Sequence, residues 1–186
     1  AGIADFTLSN YQQNFLSKEH PELVEAVQSA VNSDAVFAPI LGIYVMGSFG
    51  SISQTSASDL DIWICHQDDL SEQDQQRLAE KTKKISQWAS TYHVEMHFYL
   101  MTQQRFRNER YSDPLTKENS GSAQYMLLLE EFYRSAVRLA GKPLLWLHLW
   151  VEDEKQYEAE VTRLVAEGEL NPNDWVDFGG LGQFSA

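Results

Sequence analysis

The spacing of apolar positions changes repeatedly along the chain, and each change of period predicts an element. Phe6, Leu8, Tyr11, Phe15 and Leu16 recur at near-helical spacing in a polar lead, which predicts a helix within residues 1–19. His20-Pro21-Glu22 opens a second helix to about Asn32, since a first turn tolerates proline and an acid there complements the dipole. Leu41 to Met46 is a compact apolar run and the first predicted strand. Residues 47–58 hold too much Ser and Gly to extend it and predict a loop or short helical turn. The next strand is Asp59 to Cys65. Ser71 with Asp74 predicts a cap for a polar amphipathic helix over 72–90, with Leu78, Ile85 and Trp88 on its apolar face. Residues 93–101 alternate as a third strand: Val94, Met96, Phe98 and Leu100 on one side, His93, Glu95, His97 and Tyr99 on the other.

Residues 107–121 lack periodicity and are rich in breakers, which predicts a mobile loop able to act as a lid. Ser122 to Ala140 predicts the strongest helix, stopped at Gly141. Arg134 and Arg138, four apart, would share one of its faces, with Lys142 just past its end. Leu144 to Trp150 predicts a fourth strand, Glu152 to Glu167 an acidic helix ended by Gly168, and Asn171-Pro-Asn-Asp-Trp a turn or short helix. This order of elements predicts an α/β (α+β) fold: a mixed sheet of four or five strands flanked by helices. With no internal repeat or linker, residues 1–186 are expected to form one domain.

Composition narrows the function. A hydrophobic share of 43% excludes a disordered chain. The formal charge of −13 argues against a nucleic-acid surface, which needs clustered Lys and Arg. A single cysteine, Cys65, cannot form an internal disulfide and fits a reducing compartment. No apolar run is long enough for a membrane span and no signal peptide is recognisable, so a cytoplasmic protein is expected.

The candidate chemistry lies in Gly47 to Trp63. Asp59 and Asp61 are two apart in a strand, so both carboxylates project from one face while Leu60 and Ile62 point to the other. Two like charges held side by side call for a divalent cation, with Mg²⁺ favoured by its preference for oxygen ligands. Gly47 permits close backbone approach, and the Ser48 hydroxyl with neighbouring amides suits phosphate oxygens; Gly50 and Ser51 could assist. Glu95 faces the kind of polar surface the aspartates need. His93 and His97 flank it and could ligate zinc, though surface histidines are the default. Lys81, Lys83 and Lys84 fit a solvated helix face. Arg134, Arg138 and Lys142 either complement a helix dipole or reach a triphosphate.

Gly-Ser followed about a dozen residues on by Asp-apolar-Asp resembles the polymerase-β-type nucleotidyltransferase superfamily. The strings Met46-Gly-Ser-Phe-Gly-Ser-Ile-Ser-Gln and Ser58-Asp-Leu-Asp-Ile-Trp-Ile-Cys-His-Gln resemble class I, enterobacterial-type adenylate cyclase. So do Leu127 to Lys142 and Asn171 to Gly180, and the resemblance extends over about two thirds of the chain in several ordered strings. The resemblance implies a nucleotidyltransferase-like sheet, ATP as substrate, and 3′,5′-cyclic AMP plus pyrophosphate as products. It implies two Mg²⁺ or Mn²⁺ ions held by Asp59, Asp61 and Glu95, the last as the third carboxylate supplied by the following strand. Trp63 matches a family tryptophan and would pack on the nucleotide or brace the carboxylates, whereas Phe49 stands where relatives carry threonine. Family members are much longer, so the chain is expected to be a catalytic piece of a larger cyclase, linked by resemblance to the glucose phosphotransferase system and a cyclic-AMP receptor. The rival expectations are a transferase that adenylylates a separate acceptor and a nucleotide-binding module without turnover.

Overall fold

The computed structural model describes residues 2–32, 38–47, 59–110, 120–149, 151 and 156–180. Ser9 opens α1 (Asn10–Glu19) through a reciprocal capping box with Gln12. Pro21 starts a 3₁₀ turn, Pro21–Leu23, that runs into α2 (Val24–Asn32). The strands β1 (Ile40–Met46) and β2 (Leu60–His66) follow, then α3 (Glu72–Ser90), whose first turn is capped by Ser71 Oγ accepting from the Asp74 amide. Next come β3 (Met96–Met101), α4 (Gln103–Arg110), α5 (Ser120–Ser135) and β4 (Val137–Gly141). A 3₁₀ turn at Leu145–Leu147, α6 (Tyr157–Ala166) and a last 3₁₀ turn at Pro172–Asp174 complete the described elements.

The four strands form one mixed sheet in the order β3-β2-β1-β4. β1 is antiparallel to β2 and β4, whereas β2 and β3 are parallel, so the chain needs the α3 crossover to return to the same end of the sheet. Register places Met46, Asp61 and His97 in one cross-strand row and Tyr44, Trp63 and Tyr99 in the next. Side chains of a row share a face. Behind the first row that face is the main core: Tyr44, Trp63, Cys65 and Met101 pack against Phe106 of α4, Leu129 and Phe132 of α5, Trp146 and Phe178. The Trp63 ring stacks on Phe132 at 4.4 Å and 8° and on Tyr99 at 5.4 Å and 27°. On the other face α3 lies along β3, with Ser86 Oγ donating to the Met96 carbonyl at 2.9 Å.

Four sequence expectations are corrected. The helix predicted to Ala140 ends at Ser135, and Val137–Gly141 pairs with β1 instead. Ser135 Oγ donates back to the Glu131 carbonyl and accepts from the Gly47 amide, which closes the helix and ties it to the end of β1. Arg138 is therefore a strand residue and shares no helical face with Arg134. Leu144 to Trp150 is not the fourth strand: Leu144 makes an isolated bridge to Val176 and a 3₁₀ turn follows. Leu144, Leu145 and Trp146 are consecutive and all buried, which a strand with alternating faces could not achieve without covering both sides. Residues 107–110 extend α4, anchored by buried Phe106, and Ser120 and Gly121 begin α5, so only 111–119 of the predicted lid lie outside the described residues. Finally, β3 begins at Met96 rather than His93, because His93 takes a left-handed φ of 60° in the turn after α3.

Gly141 shows why the β4 edge demands a glycine. Its φ is 81°, and a Cβ there would come within 2.5 Å of the Leu41 carbonyl oxygen. The close approach lets the Lys142 amide donate to that same oxygen at 2.8 Å.

Candidate active site

Asp59 precedes β2 and Glu95 precedes β3, and the parallel pairing of these strands brings their entrances together, with the Leu60 amide donating to the Glu95 carbonyl at 2.9 Å. Asp59, Glu95 and His97 each offer a ligand atom, and these atoms all lie within 4.8 Å of one another on the exposed rim. Donors about 2.1 Å from a shared small cation can be no more than about 4.2 Å apart, so slight side-chain rotation suffices for all three to reach one ion. Two carboxylates and an imidazole are a chemically competent set for a divalent cation. His97 Nε2 already lies 3.1 Å from Glu95 Oε1.

Asp61 stands one step inward from this rim. Its cross-strand neighbour is His97, and the Tyr99 hydroxyl donates to its Oδ1 at 3.4 Å. Partial burial pushes the Asp61 carboxyl above its ordinary range, with His97 and the Tyr99 hydrogen bond opposing and the Asp59 and Glu95 charges adding to the rise. The Tyr99 phenol is raised in turn by burial and by Asp61. The aspartate pair is thus divided: Asp59 is exposed, whereas Asp61 is held against the core and strained by like charge.

Gly47 follows Met46, the partner of Asp61, and its φ of 86° turns the chain away from β1 beside the carboxylates. Glu131 of α5 reaches the same corner: its Oε1 would be 3.4 Å from a Cβ built on Gly47, and its charge also raises the Tyr99 phenol. Sequence reasoning placed Tyr99 on the correct face without a role and did not single out Glu131. The available signal for Glu131 was its position in a string shared with the cyclase family, but its approach to Gly47 depends on how α5 crosses β1.

Ser48, Gly50 and Ser51 lie outside the described residues. Trp63 is only 1% exposed, which corrects the expectation that it packs on a nucleotide: its ring is covered by Tyr99, the donor to Asp61, and by Phe132. The basic residues have other observed partners or positions. Arg134 is ion-paired to Glu130 at 2.6 Å, and Arg138 Nη1 donates to the Gly141 carbonyl at 3.3 Å. Lys142 follows Gly141, the partner of Gly42, and Gly42 is four residues from Met46, or about 13 Å along β1. Of the two histidines flanking Glu95, only His97 joins the cluster.

The string Asn171 to Gly180 serves the frame. Asp177 accepts from Arg107 Nη2 at 2.7 Å, from the Tyr157 hydroxyl at 3.0 Å and from the Gly179 amide at 2.8 Å. Its own amide donates to Gln103 Oε1 at 2.6 Å, and Arg107 Nη1 also donates to Glu158 at 2.9 Å. One aspartate therefore joins α4, α6 and the C-terminal segment behind the core rings.

A mixed sheet with carboxylates gathered where two parallel strands begin, beside a glycine turn, defines an α/β domain with a candidate cation site. Comparison with known proteins is specific. The family model for the adenylate cyclase NT domain matches residues 1–147, and the chain belongs to that family. It is 66% identical to the adenylate cyclase of Haemophilus influenzae, over all of this chain and 23% of that protein. It is 45% identical to that of Yersinia intermedia and 41% to that of Escherichia coli strain K12, over all of this chain and 21% of each. The chain thus spans less than a quarter of the length of these relatives. No solved structure matches it. Among the described residues, no helix is long and apolar enough to cross a membrane.

Proposed function

We propose that this chain carries the catalytic site of an adenylate cyclase, forming 3′,5′-cyclic AMP and pyrophosphate from ATP in a nucleotidyltransferase-like domain. The observation that supports it most is the meeting of Asp59, Glu95 and His97 at the β2 and β3 entrances, with Asp61 immediately behind.

Asp59, Asp61 and Glu95 would hold divalent cations, Mg²⁺ or Mn²⁺, in a two-ion site. When bound, such cations lower the pKa of the ribose 3′-hydroxyl and balance charge on the α-phosphate and the departing pyrophosphate. Tyr99 orients the Asp61 carboxylate, and the stacked Trp63 and Phe132 rings keep Tyr99 from turning. The left-handed turn at Gly47 lets the backbone approach the β- and γ-phosphates, with Ser48, Gly50 and Ser51 following in sequence as further phosphate contacts. Arg134, Arg138 and Lys142 are given no part in this step: Arg134 pairs with Glu130, Arg138 donates to the Gly141 carbonyl, and Lys142 lies at the far end of β1.

The test is incubation with α-labelled ATP and Mg²⁺ or Mn²⁺, with products separated by chromatography, beside an Asp59→Asn, Asp61→Asn double variant. Labelled cyclic AMP from the native chain alone is expected. Label transferred to a separate acceptor without cyclic product would replace the cyclase reading with a transferase, and equal product from both proteins would overturn the site.

A further inference from the structure

We propose that His97 is itself a cation ligand and tilts the site toward first-row transition-metal ions over Mg²⁺. The inference rests on the carboxylate site above and adds to it a donor of different chemistry. His97 is the cross-strand partner of Asp61, its Nε2 lies 3.1 Å from Glu95 Oε1, and it shares the 4.8 Å cluster with Asp59. The parallel register fixes this arrangement, since His97 follows Glu95 by two residues on the rim that Asp59 faces.

Donor type decides the preference. Mg²⁺ takes oxygen ligands in a strict octahedron and gives up water reluctantly, so an imidazole nitrogen contributes little to it. First-row transition ions bind a nitrogen donor more strongly than Mg²⁺ does, least for Mn²⁺ and increasingly for Fe²⁺, Co²⁺ and Ni²⁺, so a mixed set of two carboxylates and one imidazole discriminates in their favour and Mn²⁺ is its most stringent probe. A Glu95–His97 contact of purely structural use would leave the choice of ion unaffected. The ring is half-exposed, with a side-chain exposure of 47%, so its removal leaves no cavity in the core.

The experiment measures Mn²⁺ and Mg²⁺ binding by calorimetry for the wild-type chain, His97→Ala and Asp59→Asn, and records pulsed electron paramagnetic resonance of bound Mn²⁺. The wild-type Mn²⁺ spectrum should show nitrogen modulation that disappears in His97→Ala. Mn²⁺ affinity should fall about tenfold or more in that variant, by analogy with the loss seen when groups that tune a metal site are removed. Mg²⁺ affinity should change by no more than about twofold, so the preference between the ions collapses. Bound Mn²⁺ without nitrogen modulation, or an equal loss for both ions, overturns the His97 proposal and leaves the carboxylate site standing. Asp59→Asn should weaken both ions; if it weakens neither, or if the wild-type chain binds neither, the carboxylate reading falls and His97 with it.

Discussion

Replacing Trp63 separates two roles that the structure assigns to one ring. The side chain is 1% exposed and stacked between Phe132 and Tyr99, yet its Nε1 has no hydrogen-bond partner among the described residues. Trp63→Phe removes two carbons and Nε1, and the two carbons represent a loss of about 1.6 kcal/mol at ~0.8 kcal/mol per buried group. It also removes a buried donor whose unmet demand costs about 1–3 kcal/mol. The two effects offset, and the net change should stay within about 1 kcal/mol. Trp63→Ala discards both stacking contacts and leaves a cavity, a change that costs about 3–5 kcal/mol before the same relief of about 1–3 kcal/mol is subtracted, so a net loss of about 2 kcal/mol is expected. Urea unfolding followed by fluorescence and circular dichroism gives both values, with unchanged slopes showing that the denatured state is not altered. The Phe variant should also retain wild-type Mn²⁺ affinity, because Tyr99 keeps an aromatic neighbour and its hold on Asp61. Phe and Ala variants of equal instability would refute the offset between packing and the unpaired donor. A stable Ala variant would refute the placement of Trp63 in the core.

Other substitutions probe the frame and the charge at the site. Gly141→Ala should destabilise the chain by about 3 kcal/mol in denaturant unfolding, since a Cβ meets the Leu41 carbonyl oxygen at 2.5 Å and φ is 81°. Asp177→Ala leaves the Arg107 guanidinium and Tyr157 hydroxyl without a shared acceptor and should cost about 2–3 kcal/mol, whereas Asp177→Asn should recover part of that loss. Without divalent cation, Asp61→Asn should raise the thermal midpoint at neutral pH, because burial and the Asp59 and Glu95 charges disfavour the Asp61 carboxylate in the folded chain. The sign follows from the raised carboxyl pKa: ionisation is disfavoured in the folded chain, so the penalty is absent below the unfolded pKa and complete above the folded one. The gain should therefore vanish in acid, and added Mn²⁺ should reverse it by stabilising the wild-type chain more than the variant, which keeps Asp59, Glu95 and His97 but loses the Asp61 carboxylate.

The legible parts of the sequence were those set by local pattern. Ser71 caps α3 where its spacing to Asp74 indicates, and β1 and β2 fall within a residue of their apolar runs. The face shared by Asp61, Trp63, His97 and Tyr99 follows from strand alternation and from a parallel pairing that α3 makes possible. Val137 to Gly141 was illegible because Arg, Leu and Ala carry helical propensity, while the reason to be a strand is the open edge of β1, far away in sequence. The same distance hid Glu131, which reaches Gly47 only because Ser135 fastens α5 to β1. His97 was visible as a residue but not as a neighbour of Asp59, since their approach needs the register and not just the order of strands.

The most direct test of the central claim is calorimetric titration of the chain with a non-cyclisable ATP analogue, with and without Mg²⁺ or Mn²⁺. The account predicts cation-dependent binding that is lost in the Asp59→Asn, Asp61→Asn double variant while the Gly47 backbone turn is untouched. Binding that needs no cation, or that survives in the double variant, would contradict it.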